Sequence, residues 1–188
     1  SATDMISRHS SNDMSRKDAE RSSTTWNPDG NGTETSPLLS TGQGPATALP
    51  ADNIDGDLDP ATRSRYTSPT NIGGYLWSTI VARALDLIAR SEAYQRMERT
   101  LATVARIDRH DDSGMFYNWY DPQTLDVLRV WPEDGNTVYP FLSSVDNGWL
   151  ATGLLAVARS DPRLAGKANP IRSHMDFSWF YDEDYGTA

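Results

Sequence analysis

The sequence predicts an all-α fold over residues 48–188, a partial α/α toroid of about two helix hairpins, behind a disordered N-terminal segment. Three observations lead there. The aromatic residues (Trp 6, Tyr 8, Phe 4) are unevenly spread, and only Trp26 precedes residue 66. Two stretches, 71–90 and 145–159, are apolar round most of a helical circumference, and each leads into a more polar helical stretch. The segments that follow each hairpin have no helical period and are rich in aromatic residues.

Residues 1–47 consist mostly of Ser, Thr, Asn, Asp, Gly and Pro, and bury too little apolar surface to offset their ordering entropy. The foldable part begins at Leu49-Pro50-Ala51-Asp52-Asn53-Ile54, and an acidic, turn-rich link runs from Asp55 to Pro60. Thr67-Ser68-Pro69 then starts a helix: Ser68 can cap the open amides and Pro69 suits the first helical position. The helix expected over 68–90 carries Ile72, Tyr75, Leu76, Trp77, Ile80, Val81, Leu85, Leu87 and Ile88, with Gly73 and Gly74 leaving one side thin for close packing. Being apolar nearly all round, it is expected to be buried on most faces.

The next helix, about Glu92 to Asp108, has one apolar stripe of Tyr94, Met97, Leu101 and Val104, and Glu92, Arg96, Glu98, Arg99 and Arg106 opposite it. That is the pattern of an outer helix covering a core. Residues 109–143 read as a long loop with a possible short strand at Val127-Leu128-Arg129-Val130 and a turn at Glu133-Asp134-Gly135-Asn136. A second inner helix begins at Ser144, and Asp161-Pro162 opens a short outer helix that Asn169-Pro170 is expected to interrupt. Inner–outer, loop, inner–outer is the repeating unit of an α/α toroid. Two such hairpins do not close a ring, so the inner helices 71–90 and 145–159 are expected to expose apolar surface that a complete ring would cover.

Net charge is −9 with a pI near 4.7, and no basic stripe is present, which argues against nucleic acid as a partner. With Cys 0, disulfides, zinc–thiolate sites and cysteine catalysis are excluded. No apolar run reaches the roughly 18 residues of a membrane span, so no membrane insertion is expected, and residues 1–25 lack a signal-peptide layout. His9, His110 and His174 have no histidine partner at helical spacing, so no metal site is expected, and no cofactor motif is visible.

The densest chemical cluster is Met115-Phe116-Tyr117-Asn118-Trp119-Tyr120-Asp121. Aromatic rings offer flat apolar faces to a pyranose, while amide and carboxylate grip paired hydroxyls. An aromatic plug over the helix ends accounts for the same composition. In Phe141 to Trp149, Asp146 and Asn147 fall in the first turn of an apolar helix. Asp146 there also reads as an anion at a positive helix end. In Thr67 to Asn71, capping explains Ser68 and Pro69 but not Asn71.

Thr67-Ser68-Pro69-Thr70-Asn71-Ile72-Gly73, Phe116-Tyr117-Asn118-Trp119-Tyr120-Asp121 and Ser143-Ser144-Val145-Asp146-Asn147-Gly148 resemble, in order and spacing, the bacterial DUF3131/glycoamylase-like proteins. These are related to the β-1,2-glucanases and to the accessory region of cyclic β-1,2-glucan synthases. The resemblance implies an (α/α)6 toroid, a glycosidic function on an oligo- or polysaccharide, and a secreted or periplasmic setting. It implies Asp146 and Asp121 as catalytic candidates, with Asn71, Tyr117, Asn118, Trp119, Asn147 and Trp149 as substrate-binding ones. The family continues past Tyr181 into further helices, so 48–188 is expected to be the opening part of a longer domain. A glycan-binding accessory domain and an inactive truncated product are the alternative expectations.

Overall fold

A computed structural model describes residues 47–183. The segment expected to lack structure therefore lies outside the described residues, except for Thr47. That residue is buried: its carbonyl accepts from Thr103 Oγ1 at 2.6 Å and its hydroxyl donates to the Pro122 carbonyl.

Among the described residues the chain forms four α-helices and no strand. A 3₁₀ turn at Pro60–Thr62 precedes α1 (Pro69–Ala84) and α2 (Arg90–Val104). After a long loop come α3 (Ser144–Ser160), α4 (Pro162–Ser173) and a 3₁₀ turn at Phe177–Phe180. Ser68 caps α1 by accepting from the Asn71 amide at 3.2 Å, and Asp161 caps α4. Ser143 caps α3, one residue ahead of the Ser144 at which that helix was expected to begin.

The helices sit as two parallel hairpins. Along α1 and α3, Thr70 meets Asp146, Gly73 meets Trp149 and Gly153, and Arg83 meets Ser160 and Asp161. Positions advance together, so the inner helices run parallel with their first turns at one end. Along the outer pair, the Arg163 guanidinium lies 4.3 Å from the centre of the Tyr94 ring and Lys167 reaches Glu98 at 2.6 Å, so α2 and α4 are parallel too. A Cβ on Gly73 would lie 2.7 Å from the Trp149 carbonyl carbon, and one on Gly153 would lie 2.8 Å from the Gly73 oxygen. The inner helices thus touch through their main chains. Ile72, Leu76, Leu150 and Leu154 are fully buried in the core alongside Met97 and Leu101 of α2 and Leu164 of α4.

Four sequence expectations are corrected. First, α1 stops at Ala84 because Leu87 N bonds Ala82 O, Asp86 N bonds Arg83 O, and Asp86 adopts φ 55°. That is the paired-bond, left-handed helix ending usually built on glycine. Second, α1 is not buried on most of its own faces: Trp77 and Val81, and Leu85 and Leu87 just beyond it, are exposed, as are Val145, Trp149 and Leu155 of α3, which is the apolar exposure expected of inner helices in an unclosed ring. An apolar side of the inner pair stays uncovered among the described residues. Third, Arg96 is only 3% exposed, bonded to Glu92 at 2.5 Å, because α2 packs against both α1 and α4 and buries a wider face than its apolar stripe. Fourth, α4 continues through Pro170. The proline forgoes one bond, to the Gly166 carbonyl, and buried Ala168 and Ile171 anchor the helix on either side of it.

The loop 105–143 is ordered by three turns of one geometry. His110 N bonds Met115 O, Asp121 N bonds Asp126 O, and Trp131 N bonds Asn136 O; in each turn the fifth residue's amide also returns to the first residue's carbonyl. That fifth residue has positive φ every time: Gly114 at 63°, Leu125 at 73° and Gly135 at 74°. Isolated bridges flank the turns, Arg109 to Phe116, Tyr120 to Val127, and Val130 to Thr137. The strand expected at 127–130 is reduced to the two bridges at its ends.

Candidate functional site

The loop is fastened to the helices by its own aromatic segment. Tyr120 pairs through its backbone with Thr67, just ahead of α1, at 2.9 and 3.0 Å. Asn147 is fully buried, accepts from the Phe116 amide at 2.8 Å and donates to the Phe116 carbonyl at 2.9 Å. Its side chain imitates a strand partner for the loop. The Tyr120 hydroxyl donates to Asp108 O at 2.7 Å and accepts from Tyr117 N at 2.8 Å, and burial pushes that hydroxyl well above its ordinary pKa.

These anchors bring residues 116–121 to the end of the bundle where α1 and α3 begin. There Thr70 Oγ1 donates to Asp146 Oδ1 at 2.5 Å. With the Asn118 amide oriented to satisfy both neighbours, its nitrogen donates to Asp146 Oδ2 at 2.7 Å and its oxygen accepts from Trp119 Nε1 at 2.9 Å. Asp146 is half-buried between the first turns of two helices. Beside it Trp119 packs edge-on against Tyr66 at 5.5 Å and Trp131 at 5.5 Å, and Tyr66 and Trp131 lie 4.4 Å apart. Burial raises the pKa of the Tyr66 hydroxyl, and the Glu133 and Asp52 carboxylates add to that against the Asn53 hydrogen bond, which lowers it.

Of the residues singled out from sequence, Asp146, Asn118 and Trp119 form one hydrogen-bonded group. Asn71 adjoins it, but its side chain is bonded to Ser68. Trp149, one turn along α3 from Asp146, is 52% exposed. Asp121 lies at the same end, following Tyr120, yet stands outside the group: it accepts from the Gln123 amide at 2.7 Å, the Thr124 amide at 3.2 Å and Arg65 at 3.0 Å. Tyr117 lines a different, open depression with Asp108, His110, Asp111 and Arg129. Thr70, Tyr66 and Trp131 were not singled out. Thr70 lay inside a cluster whose visible signal was capping, and Trp131 follows an apolar run read as a strand. Among the described residues no three His, Asp or Glu side chains converge as a metal site, and no helix is long and apolar enough to cross a membrane.

Comparison with known proteins adds a lineage to this geometry. The model of a family described as "Protein of unknown function (DUF3131)" matches residues 56–185. A curated relative, the cyclic β-(1,2)-glucan synthase NdvB of Rhizobium meliloti, is 38% identical over 110 residues, which is 58% of this chain and 4% of that protein. Among solved structures, an endo-β-1,2-glucanase from Chitinophaga pinensis superposes with a TM-score of 0.59 at 16% identity, over 78% of this chain and 36% of that one. A β-1,2-glucanase from Parabacteroides distasonis gives 0.52 at 18% identity, over 77% and 21%. The structural likenesses show a shared helical fold. The chain spans well under half the length of each of these proteins.

Proposed function

We propose, given that the chain belongs to the DUF3131 family, that residues 48–188 are the opening part of a toroid domain acting on glycosidic bonds of a β-glucan or related polysaccharide. Asp146 is its acting carboxylate. The observation that carries this reading is the placement of Asp146. It sits where the first turns of two parallel inner helices meet, hydrogen-bonded through Asn118 to the indole of Trp119. A carboxylate beside half-exposed tryptophan faces suits a sugar: the rings take the C–H face of a pyranose and the charge acts at the bond between residues. The β-1,2-glucan chemistry named for the relatives supports the substrate class.

Glycoside hydrolysis commonly uses two carboxyl groups on opposite sides of the scissile bond. Asp121 is assigned an orienting part, since its bonds to the turn amides and Arg65 shape the loop that presents Asn118 and Trp119. The second catalytic carboxyl then comes from the rest of the toroid.

The test uses the natural full-length gene product with linear β-1,2-glucan, and with β-1,3- and β-1,4-glucans as comparison substrates. New reducing ends are expected from at least one of them. Asp146→Asn should lower turnover by roughly 10² or more while leaving the fold intact. Absence of both cleavage and binding with every one of these β-glucans would refute the proposal. One observation favours a second reading, a glycan-binding accessory domain: among the described residues no second carboxylate joins the group around Asp146. Binding without cleavage would select it.

A further inference from the structure

The group around Asp146 assigns different work to residues that sequence would treat alike. Both carboxylate oxygens are engaged, Oδ1 by the Thr70 hydroxyl at 2.5 Å and Oδ2 by the Asn118 amide nitrogen at 2.7 Å. An amide nitrogen carries only hydrogens to offer, so Oδ2 is an acceptor, and Thr70 supplies a donor to the other oxygen. Each oxygen keeps a further lone pair for an incoming hydroxyl or water. In this geometry both oxygens of Asp146 serve as acceptors.

The arrangement is also stiff. Thr70 and Asp146 face each other across helices in main-chain contact at Gly73 and Gly153, so their separation is set by the backbone. Asn118 is 6% exposed, and its amide N–H is fixed to Phe141 O at 3.0 Å. Its side-chain oxygen also receives the Trp119 indole N–H at 2.9 Å. One amide thus sets the carboxylate and the aromatic face relative to each other.

We propose that Thr70 and Asn118 are positioning residues that hold Asp146 as the proton acceptor of the reaction, with Asn118 orienting the carboxylate rather than gripping sugar hydroxyls. The inference rests on the glycosidic reading above. In that role Asp146 removes the proton from an attacking water or sugar hydroxyl as its oxygen bonds to the anomeric carbon. The bond from that carbon to the leaving oxygen breaks, and the leaving oxygen takes a proton from a carboxylic acid elsewhere in the toroid.

The test compares Thr70→Val, which keeps shape and removes the hydroxyl, with Thr70→Ser, which keeps the hydroxyl, in the natural full-length gene product acting on β-1,2-glucan. Thr70→Val is expected to lower kcat about tenfold or more with KM within about twofold, and Thr70→Ser to recover most of the kcat. Asn118→Leu, which removes the other donor at similar volume, is expected to show the same kcat-selective loss and decides the matter if Thr70→Val does not fold. Wild-type kcat in the Thr70→Val or Asn118→Leu protein overturns the positioning role. So does a Thr70→Ser protein as impaired as Thr70→Val. Those results leave the glycosidic reading standing, whereas a wild-type protein inert on every β-glucan overturns both.

Discussion

Gly73 and Gly74 are adjacent on α1, and their replacement by alanine is expected to move stability in opposite directions. A Cβ at Gly73 would lie 2.7 Å from the Trp149 carbonyl carbon and 2.9 Å from the Leu150 nitrogen, where ordinary contact begins at 3.4 Å. The Trp149 carbonyl oxygen lies nearer still, so relieving the contact means parting α1 and α3 by roughly 1 Å, enough to forfeit up to half of the dispersion attraction across the seam. Overpacking costs about 1–3 kcal/mol, and the upper end applies because the opposing atoms are main chain and have no other rotamer. Helix propensity returns roughly 0.8–1 kcal/mol, leaving a net loss of about 2 kcal/mol. At Gly74 nothing lies within 4 Å, so only the propensity gain of roughly 0.8 kcal/mol remains. For a chain of this size 1 kcal/mol corresponds to roughly 3–4 °C in Tm. Gly73→Ala is therefore expected to melt about 7 °C lower and Gly74→Ala about 3 °C higher, read by circular dichroism at 222 nm on heating. A Gly73→Ala protein as stable as Gly74→Ala would refute main-chain contact between the inner helices.

Asp86 holds the left-handed position that ends α1 and is exposed, so Asp86→Gly is expected to raise the urea midpoint, by about 0.5–1 kcal/mol of stability. Asn147→Ala strands the buried Phe116 amide and is expected to cost about 1–3 kcal/mol in equilibrium unfolding, with faster hydrogen exchange at Phe116. The Arg163 guanidinium beside Asp161 holds that carboxyl below its ordinary range. A depressed folded value means the stabilisation is complete above the unfolded pKa of about 3.9 and is lost as pH falls through the folded value. The urea midpoint of Asp161→Asn is accordingly expected to fall less steeply below pH 4 than that of the wild type. Gly114 combines φ 63° with a main-chain neighbour, His174, whose carbonyl carbon would stand 3.0 Å from an added Cβ, so Gly114→Ala is expected to lose native signal on mild heating.

What could be read in the sequence was whatever a single residue or a single period determines. Ser68-Pro69 marks a helix start by its own chemistry, and Met97, Leu101 and Val104 name a buried face by spacing alone. What escaped depends on partners distant in the chain. Arg96 reads as exposed on a wheel and is buried because α2 has two neighbours. Leu87 and Ile88 continue an apolar pattern that the backbone has already abandoned at Asp86. At the site, Asp146, Asn118 and Trp119 were legible as residue types suited to a sugar, and the structure gathers them. Thr70 was not, because a hydroxyl in a first helical turn is a common sight, and only the register of α1 on α3 sets it opposite Asp146. Asp121 and Asn147 are bonded to main-chain amides of the loop, partners that only the folded chain brings to them.

The three like-shaped turns between α2 and α3 give that stretch a property a coil would lack. Each turn closes on its own main-chain bonds, from its first residue to its last and from its fifth back to its first, and asks of its sequence mainly a fifth residue that takes positive φ. His-Asp-Asp-Ser-Gly-Met, Asp-Pro-Gln-Thr-Leu-Asp and Trp-Pro-Glu-Asp-Gly-Asn have one shape, though two of them at most agree at any place, in the second-place Pro and the fifth-place Gly. The exposed tips of the second and third turns can therefore change in charge while Phe116, Tyr120 and Asn147 keep the base moored. Gln123, Thr124, Glu133 and Asp134, all exposed there, can vary without any helix being renegotiated.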